Sequence, residues 1–261
     1  MLPIISFFGR PIGTYGLLAC LGILVACFIS CYFIKKKVGY FEDAIFLFIL
    51  IGIGAFAGGH FLYGLTNIGK FLTYFNAGGF IFAVQYTFGG SVFYGGLIGG
   101  ILLGWIGVKA LRLDRKVYAD AIAVVVPLFH AFGRVGCFLG GCCYGVESKL
   151  GFITHTNPLV PSINGVRRFP VQLLEALLCL IIFVALLTLY RQNKFKGRLL
   201  AVYLLMYAPI RFFDEFLRGD EIRGFAFGLS TSQLISVLIK IALIAYIITV
   251  YTKKHKDKSC C

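Results

Sequence analysis

One stretch of this chain joins a charge to residue types that let backbone approach a ligand closely. It runs His130-Ala-Phe-Gly-Arg-Val-Gly-Cys-Phe-Leu-Gly-Gly-Cys-Cys-Tyr-Gly145. Arg134 stands there inside an apolar segment, among five glycines and three cysteines. A charge in hydrocarbon costs at least about 2.5–3.5 kcal/mol even on the lenient insertion scale. A second arginine, Arg211, lies in Tyr207-Ala-Pro-Ile-Arg-Phe-Phe-Asp-Glu-Phe-Leu-Arg-Gly-Asp220. A guanidinium stays charged when desolvated, and its fork donates two parallel hydrogen bonds to a phosphate. Two such cations in apolar surroundings point to an anion site, and the anion at hand in a membrane is a phospholipid head group. The competing account is a pair of structural ion pairs, Arg134 with Asp120 and Arg211 with Glu215 one turn later.

The elements that position these residues follow from composition. The chain has 261 residues, 59% of them hydrophobic and 14% charged, with a mean hydropathy of +0.88. Continuous apolar stretches of about 20 residues predict an all-α, polytopic integral membrane protein rather than a barrel. Seven spans are expected, at roughly 13–34, 43–65, 91–111, 118–140, 171–190, 199–217 and 231–251. The first starts near residue 13 with no small-residue cleavage site behind it, which argues against a removed signal peptide. The net charge of +14 does not point to nucleic acid, because of where the cations sit. Fifteen of the 25 Lys and Arg follow odd-numbered spans, at Lys35–Lys37, Lys109–Lys116, Arg191–Arg198 and Lys253–Lys258. That bias predicts an N-terminus outside and a C-terminus in the cytoplasm. The two longer outer segments, about 66–90 and 146–170, are expected as a small arm and head, with Phe80–Phe93 re-entrant or interfacial. The whole chain, 1–261, is expected to form one membrane-embedded domain.

Other residues have chemistry to offer. Arg211, Glu215 and Arg218 are expected on one helix face at i, i+4, i+7 spacing. His130 lies one turn before Arg134 on the same face and could act as a base; a core histidine bonded to backbone is the alternative. His60 is expected to be structural. Cys20, Cys27, Cys31 and Cys179 fall in apolar spans as small packing residues. His130, Cys137, Cys142 and Cys143 lack a Cys-x2-Cys pair, and adjacent cysteines seldom ligate one metal, so no metal or other cofactor is expected. Free thiols are the default for that cluster, with a Cys137–Cys142 or Cys137–Cys143 disulfide the alternative on an oxidising side. Lys240 is expected to snorkel or to pair with a carboxylate, and the terminal Cys260-Cys261 carry a weak acylation signal.

Gly133-Arg134-Val-Gly136-Cys-Phe-Leu-Gly-Gly-Cys-Cys-Tyr-Gly145 resembles the Gly-Arg-x-Gly-Asn-Phe-x-Asn-Gly-Glu-x-x-Gly signature of bacterial prolipoprotein diacylglyceryl transferases. The resemblance includes Tyr15-Gly16, Gly95-Gly96-Leu97-Ile98-Gly99, Asp120, Pro170-Val-Gln172-Leu-Leu-Glu175, and Arg211-x-x-x-Glu215-Phe-x-Arg218. It implies a bacterial cytoplasmic-membrane enzyme with its site toward the extracytoplasmic side. Such an enzyme moves diacylglycerol from phosphatidylglycerol to the lipobox cysteine thiol of a secreted preprolipoprotein and releases glycerol-1-phosphate. The same resemblance implies that Arg134 and Arg211 hold the phosphate and that Glu215 orients Arg211. Tyr15, Gly136, Gly145 and Arg218 would lie around the lipid. Preorganised arginines in a dry pocket would stabilise charge on the leaving oxygen, and the nucleophile belongs to the substrate. Several positions depart from the pattern. The family's histidine before Gly95-Gly96 is Tyr94, the one before Pro170 is Phe169, and the signature's two Asn and its Glu are Cys137, Gly140 and Cys142. Tyr94 and His130 are therefore the candidate bases. The alternatives are a diverged homologue serving another acceptor from the same phospholipid site, and a non-catalytic lipid-binding protein.

Overall fold

A computed structural model describes residues 2–7, 9–90 and 93–220, together with 225–226, 229–230, 233–234, 236–241, 243 and 245. A short hairpin, β1 (Ile4–Phe7) with β2 (Arg10–Gly13), leads into α1 (Thr14–Val38). Then come α2 (Glu42–Asn67), α3 (Phe71–Phe88), α4 (Phe93–Ala110) and α5 (Arg115–Gly140). A connecting segment carries β3 (Glu147–Ile153) and β4 (Arg167–Arg168), paired antiparallel, before α6 (Val171–Arg191) and α7 (Leu199–Asp214). A last two-residue pair joins β5 (Phe225–Ala226) to β6 (Leu229–Ser230).

The chain is all-α in class. Among the described residues, four helical stretches are long and apolar enough to cross a membrane: Thr14–Val38, Glu42–Phe88, Arg115–Gly140 and Val171–Arg191. Gly95–Ala110 is a shorter apolar helix. Their outward side chains fit a hydrocarbon solvent, with Phe28, Phe56 and Ile81 each more than two-thirds exposed. The expected span at 231–251 lies largely outside the described residues. The expected arm, about 66–90, is helical rather than a loop, because no proline interrupts it. A single turn at Ile68–Lys70 passes directly from α2 into α3, and the only break is Gly79, at φ +80°.

The chain divides into two compact units, Ser30–Tyr118 and the pair of segments Met1–Ile29 and Ala119–Cys261. In the first unit α2 packs on α4 through reciprocal glycines. A Cβ on Gly54 would strike the Gly99 carbonyl oxygen, one on Gly99 the Gly54 oxygen, and one on Gly58 the Gly95 oxygen. Small residues four apart bring two backbones together where lipid offers no hydrophobic driving force. His60 is structural there, its Nδ1 lying 2.8 Å from the Phe88 carbonyl oxygen.

In the second unit α5, α6 and α7 surround a small apolar core of Ala131, Ala176 and Cys179, with Val135 and Tyr207 against it. Pro127 and Pro209 interrupt α5 and α7, which membrane helices tolerate where neighbours re-satisfy the freed backbone. Asp120 accepts hydrogen bonds from Gly197 N (2.6 Å) and Leu199 N (3.2 Å). It therefore fixes the entry to α7, where four amide donors would otherwise be unmet. The Asp120–Arg134 pair named by the competing account does not form.

Candidate active site

Helix α5 carries His130 and Arg134 one turn apart, and α6 presents Glu175 to both. Arg134 Nη2 lies 2.9 Å from Glu175 Oε1, and His130 Nε2 lies 3.5 Å from the same oxygen. Helix α7 adds Tyr207, whose hydroxyl donates to Glu175 Oε1 at 2.8 Å. His130 sits between two phenols, with Nδ1 3.4 Å from Tyr203 OH and Nε2 3.5 Å from Tyr207 OH. The two tyrosine rings stack 5.6 Å apart. One buried carboxylate oxygen on α6 thus gathers groups from α5 and α7, and the Glu175 side chain is only 1% exposed. The physical consequence is rigidity. A buried carboxylate needs a cation and donors around it, and these in turn fix the guanidinium. Arg134 Nε, also buried, has no hydrogen-bond partner among the described residues. One edge of the fork is anchored while a donor remains for a ligand.

Arg211 is held in a similar way on its own helix, 2.8 Å from Glu215 Oε2 at i, i+4. The competing account named this pair, and for Arg134 the partner is Glu175 rather than Asp120. Arg218 does not share the helical face with Arg211 and Glu215, correcting the expected i, i+4, i+7 arrangement. Helix α7 stops at Asp214, and a tight turn over Glu215–Leu217 leaves Arg218 extended at φ −86°, ψ 141°. There it forms a two-pronged pair with Asp220, Nε–Oδ1 at 3.0 Å and Nη2–Oδ2 at 2.6 Å. Burial opposes its charge most strongly, but the hydrogen bond to Asp220 and the nearby Cys143 and Asp220 charges together hold the guanidinium above its ordinary range. The reason the helix stops lies across the chain. Gly145 bridges Arg218, Gly219 N donates to Tyr144 O at 2.9 Å, and Val146 N donates to Leu217 O at 2.9 Å.

Two glycines of the signature do steric work. A Cβ on Gly145 would strike the Phe169 carbonyl oxygen, and one on Gly136 would sit 3.2 Å from the Tyr15 ring. Tyr15 therefore lies against the turn of α5 that follows Arg134, and it is half-exposed. Gln172 Nε2 donates to Cys142 O at 2.9 Å, and Asn157 Nδ2 donates to Gly140 O at 3.1 Å. The loop after α5 is thereby pinned from α6 and from the connecting segment. Cys143 adopts φ +55°, and the sulfurs of Cys137, Cys142 and Cys143 lie within 4.8 Å of one another. Adjacent cysteines can share a site here because that left-handed residue turns the chain between them. All three are free thiols, as expected by default. The Cys143 thiol is held well below its usual range by hydrogen bonds from Cys137 and Cys142, with Arg218 and Arg134 adding to the effect. Of the cysteines expected to pack, Cys179 is buried, but Cys20 is exposed on α1.

The structure thus brings Arg134, His130, Tyr15 and Gly136 along the last turns of α5, with Gly145 on the loop beyond it and Arg218 on the segment after α7 that pairs with that loop. Tyr94 belongs to α4 by its backbone, and its side chain lies outside the described residues. Sequence reasoning missed the meeting of Glu175, Tyr207 and Tyr203 with His130 and Arg134. The available signals were a lone carboxylate in an apolar helix and two tyrosines four residues apart.

Comparison with known proteins gives this arrangement a context. The family model described as "Prolipoprotein diacylglyceryl transferase" matches residues 3–249. Among curated relatives, phosphatidylglycerol–prolipoprotein diacylglyceryl transferase 2 of Clostridium perfringens is 37% identical over 246 residues, covering 90% of each chain. The Clostridium tetani enzyme of that name is 34% identical, covering 91% of this chain and 93% of its own. The Campylobacter hominis enzyme is 33% identical, covering 90% and 86%. With a family match spanning nearly its whole length and relatives aligned over about nine-tenths of it, the chain belongs to the prolipoprotein diacylglyceryl transferase family.

Proposed function

We propose that this chain is a phosphatidylglycerol–prolipoprotein diacylglyceryl transferase. It moves diacylglycerol from phosphatidylglycerol to the thiol of a lipobox cysteine on a preprolipoprotein and releases glycerol-1-phosphate. The observation that carries the chemistry is Arg134, fixed on one side by buried Glu175 and left with a buried donor on the other. In this reading Arg134 and Arg211 hold the phosphate, Glu175 and Glu215 orient them, and Tyr15, Gly136, Gly145 and Arg218 line the lipid site. As the bond between glycerol carbon and phosphate oxygen breaks, charge grows on that oxygen. Fixed guanidiniums stabilise it without reorganising. Each arginine is already neutralised by a glutamate, so the binding rests on directed donors as much as on net charge.

The thiol proton passes to Tyr94 or His130. His130 is flanked by Tyr203, Tyr207 and Glu175, a setting that also suits a residue holding Glu175 in place. The site opens to the extracytoplasmic side of the bacterial cytoplasmic membrane. Seven spans, with the N-terminus outside and the C-terminus inside, form one membrane-embedded domain carrying an arm (about 66–90) and a head (about 146–170). The clustering of Lys and Arg after odd-numbered spans supports this orientation. The changed positions Tyr94 and Cys142 favour one second reading, the same phospholipid site serving a different acceptor. Incubating the purified protein with labelled phosphatidylglycerol and either a lipobox peptide or its Cys→Ser form separates the two. Label on the cysteine peptide alone supports the transferase, and phosphatidylglycerol consumption with neither peptide labelled supports the other acceptor.

A further inference from the structure

The three cysteines in and just beyond the last turns of α5 are not used by the mechanism above. Their sulfurs converge from two parts of the chain, Cys137 from the last turns of α5 and Cys142 and Cys143 from the loop beyond it. Three thiolates around a tetrahedral ion at about 2.3 Å would stand roughly 3.8 Å apart. The observed limit of 4.8 Å is closed by small side-chain rotations. The backbone already adopts the conformation such a site needs. Cys143 takes a left-handed φ of +55° that a residue with a Cβ seldom adopts, and this turn brings adjacent cysteines to one point. The loop is held by Gln172 at the Cys142 carbonyl, by Asn157 at the Gly140 carbonyl and by Gly219 at the Tyr144 carbonyl. Such outer hydrogen bonds orient metal ligands. Gln172 Oε1, in a side chain about 1% exposed, has no hydrogen-bond partner among the described residues. Cys142 is the most open of the three, so an ion and a fourth ligand can reach the cluster.

We propose that Cys137, Cys142 and Cys143 bind one Zn²⁺ through three thiolates and offer its fourth coordination position to the acceptor cysteine thiol. The thiol-binding half rests on the transferase reading. Thiolate donors select Zn²⁺ among common divalent ions, and three protein ligands with an open fourth position are the pattern of catalytic zinc. On loading, every one of these cysteines that is still protonated releases its proton to water. The acceptor thiol then displaces a bound water and loses its own proton to solvent, since zinc holds a sulfur ligand as thiolate. In transfer, a lone pair of that sulfur forms the bond to the diacylglycerol carbon. The carbon–oxygen bond to phosphate breaks, its electron pair stays on the departing glycerol-1-phosphate, and water replaces the neutral thioether. Cys137 lies one turn beyond Arg134 on α5, so thiol and phosphate are delivered to one end of the helix. Tyr94 need not act as a strong base.

The test uses the full chain, reduced, stripped with chelator and titrated with Zn²⁺ and separately with Co²⁺. One ion per chain is expected, with sulfur-to-cobalt charge-transfer absorption. Both should be lost in Cys137→Ser/Cys143→Ser and kept in Cys20→Ser, with phosphatidylglycerol binding retained in each variant as the check on folding. A lipobox peptide should shift the cobalt spectrum and its Cys→Ser form should not. No stoichiometric binding, binding that survives the double substitution, or a Cys137–Cys142 or Cys137–Cys143 disulfide in the protein as isolated would overturn the site. A cobalt spectrum indifferent to the peptide would overturn the thiol-binding half. Peptide-dependent shifts without diacylglycerol transfer would uphold the site and refute the transferase reading instead.

Discussion

The α2–α4 packing and the α5–α6–α7 packing solve the same problem, joining helices in surroundings that supply no hydrophobic drive, by opposite means. Gly54, Gly58, Gly95 and Gly99 remove side chains so that backbones touch. Glu175, Arg134, Tyr207 and His130 instead join their helices through buried charge and hydrogen bonds. The first solution is sterically exact and chemically silent. The second is costly to desolvate and worth keeping only if its groups meet a ligand. A charged interior in a membrane chain therefore marks the place of chemistry, whereas a glycine seam marks structure.

That contrast can be broken at several points. Glu175→Ala leaves Arg134 buried without its partner, and removing one member of a buried pair costs about 3–5 kcal/mol. Thermal unfolding in lipid nanodiscs should show the loss, and transfer should fall with it, because Arg134 is no longer oriented. Tyr207→Phe removes one donor to the same carboxylate, worth about 1.5–3 kcal/mol for a charged acceptor. Wild-type stability in this variant would mean that Arg134 and His130 hold Glu175 without the Tyr207 hydroxyl. Gly54→Ala pushes a methyl against the Gly99 carbonyl and should destabilise by about 1–3 kcal/mol, while the rate per folded molecule stays unchanged. A specific loss of rate there would erase the distinction between the two packings. Tyr94→Phe should slow turnover about tenfold if its hydroxyl takes the thiol proton, below the usual gain from acid–base help. An unchanged rate shifts the proton to His130 or to the cysteine site.

Much of this was visible in the residues themselves. An arginine in an apolar run announces itself, and the i, i+4 spacing of Arg211 and Glu215 is a local fact that the helix preserves. The helices on either side follow from apolar length. What sequence could not supply was pairing between helices. Asp120 is the nearest preceding carboxylate to Arg134, yet it faces the backbone of residues 197 and 199. Glu175 reaches Arg134 only because α5 and α6 pack through Ala131, Ala176 and Cys179. Arg218 was misplaced for a related reason. Helical spacing was carried past the point where Gly145 pairs with the chain and unwinds it. Gly219 was the available sign, since a Cβ there would press on the Gly145 carbonyl. The left-handed turn at Cys143 had no sign at all, because cysteine is not a residue that favours it.

The central claim is that Arg134, anchored by Glu175, holds the phosphate through the transition state. Its most direct test compares wild type with Arg134→Ala, using phosphatidylglycerol with labelled acyl chains, a lipobox peptide and mass spectrometry of the peptide. The account predicts a diacylglycerol mass gain on the wild-type reaction's cysteine and a rate lower by about 10²–10³ or more in the variant, with membrane insertion intact. Undiminished transfer by Arg134→Ala would contradict it.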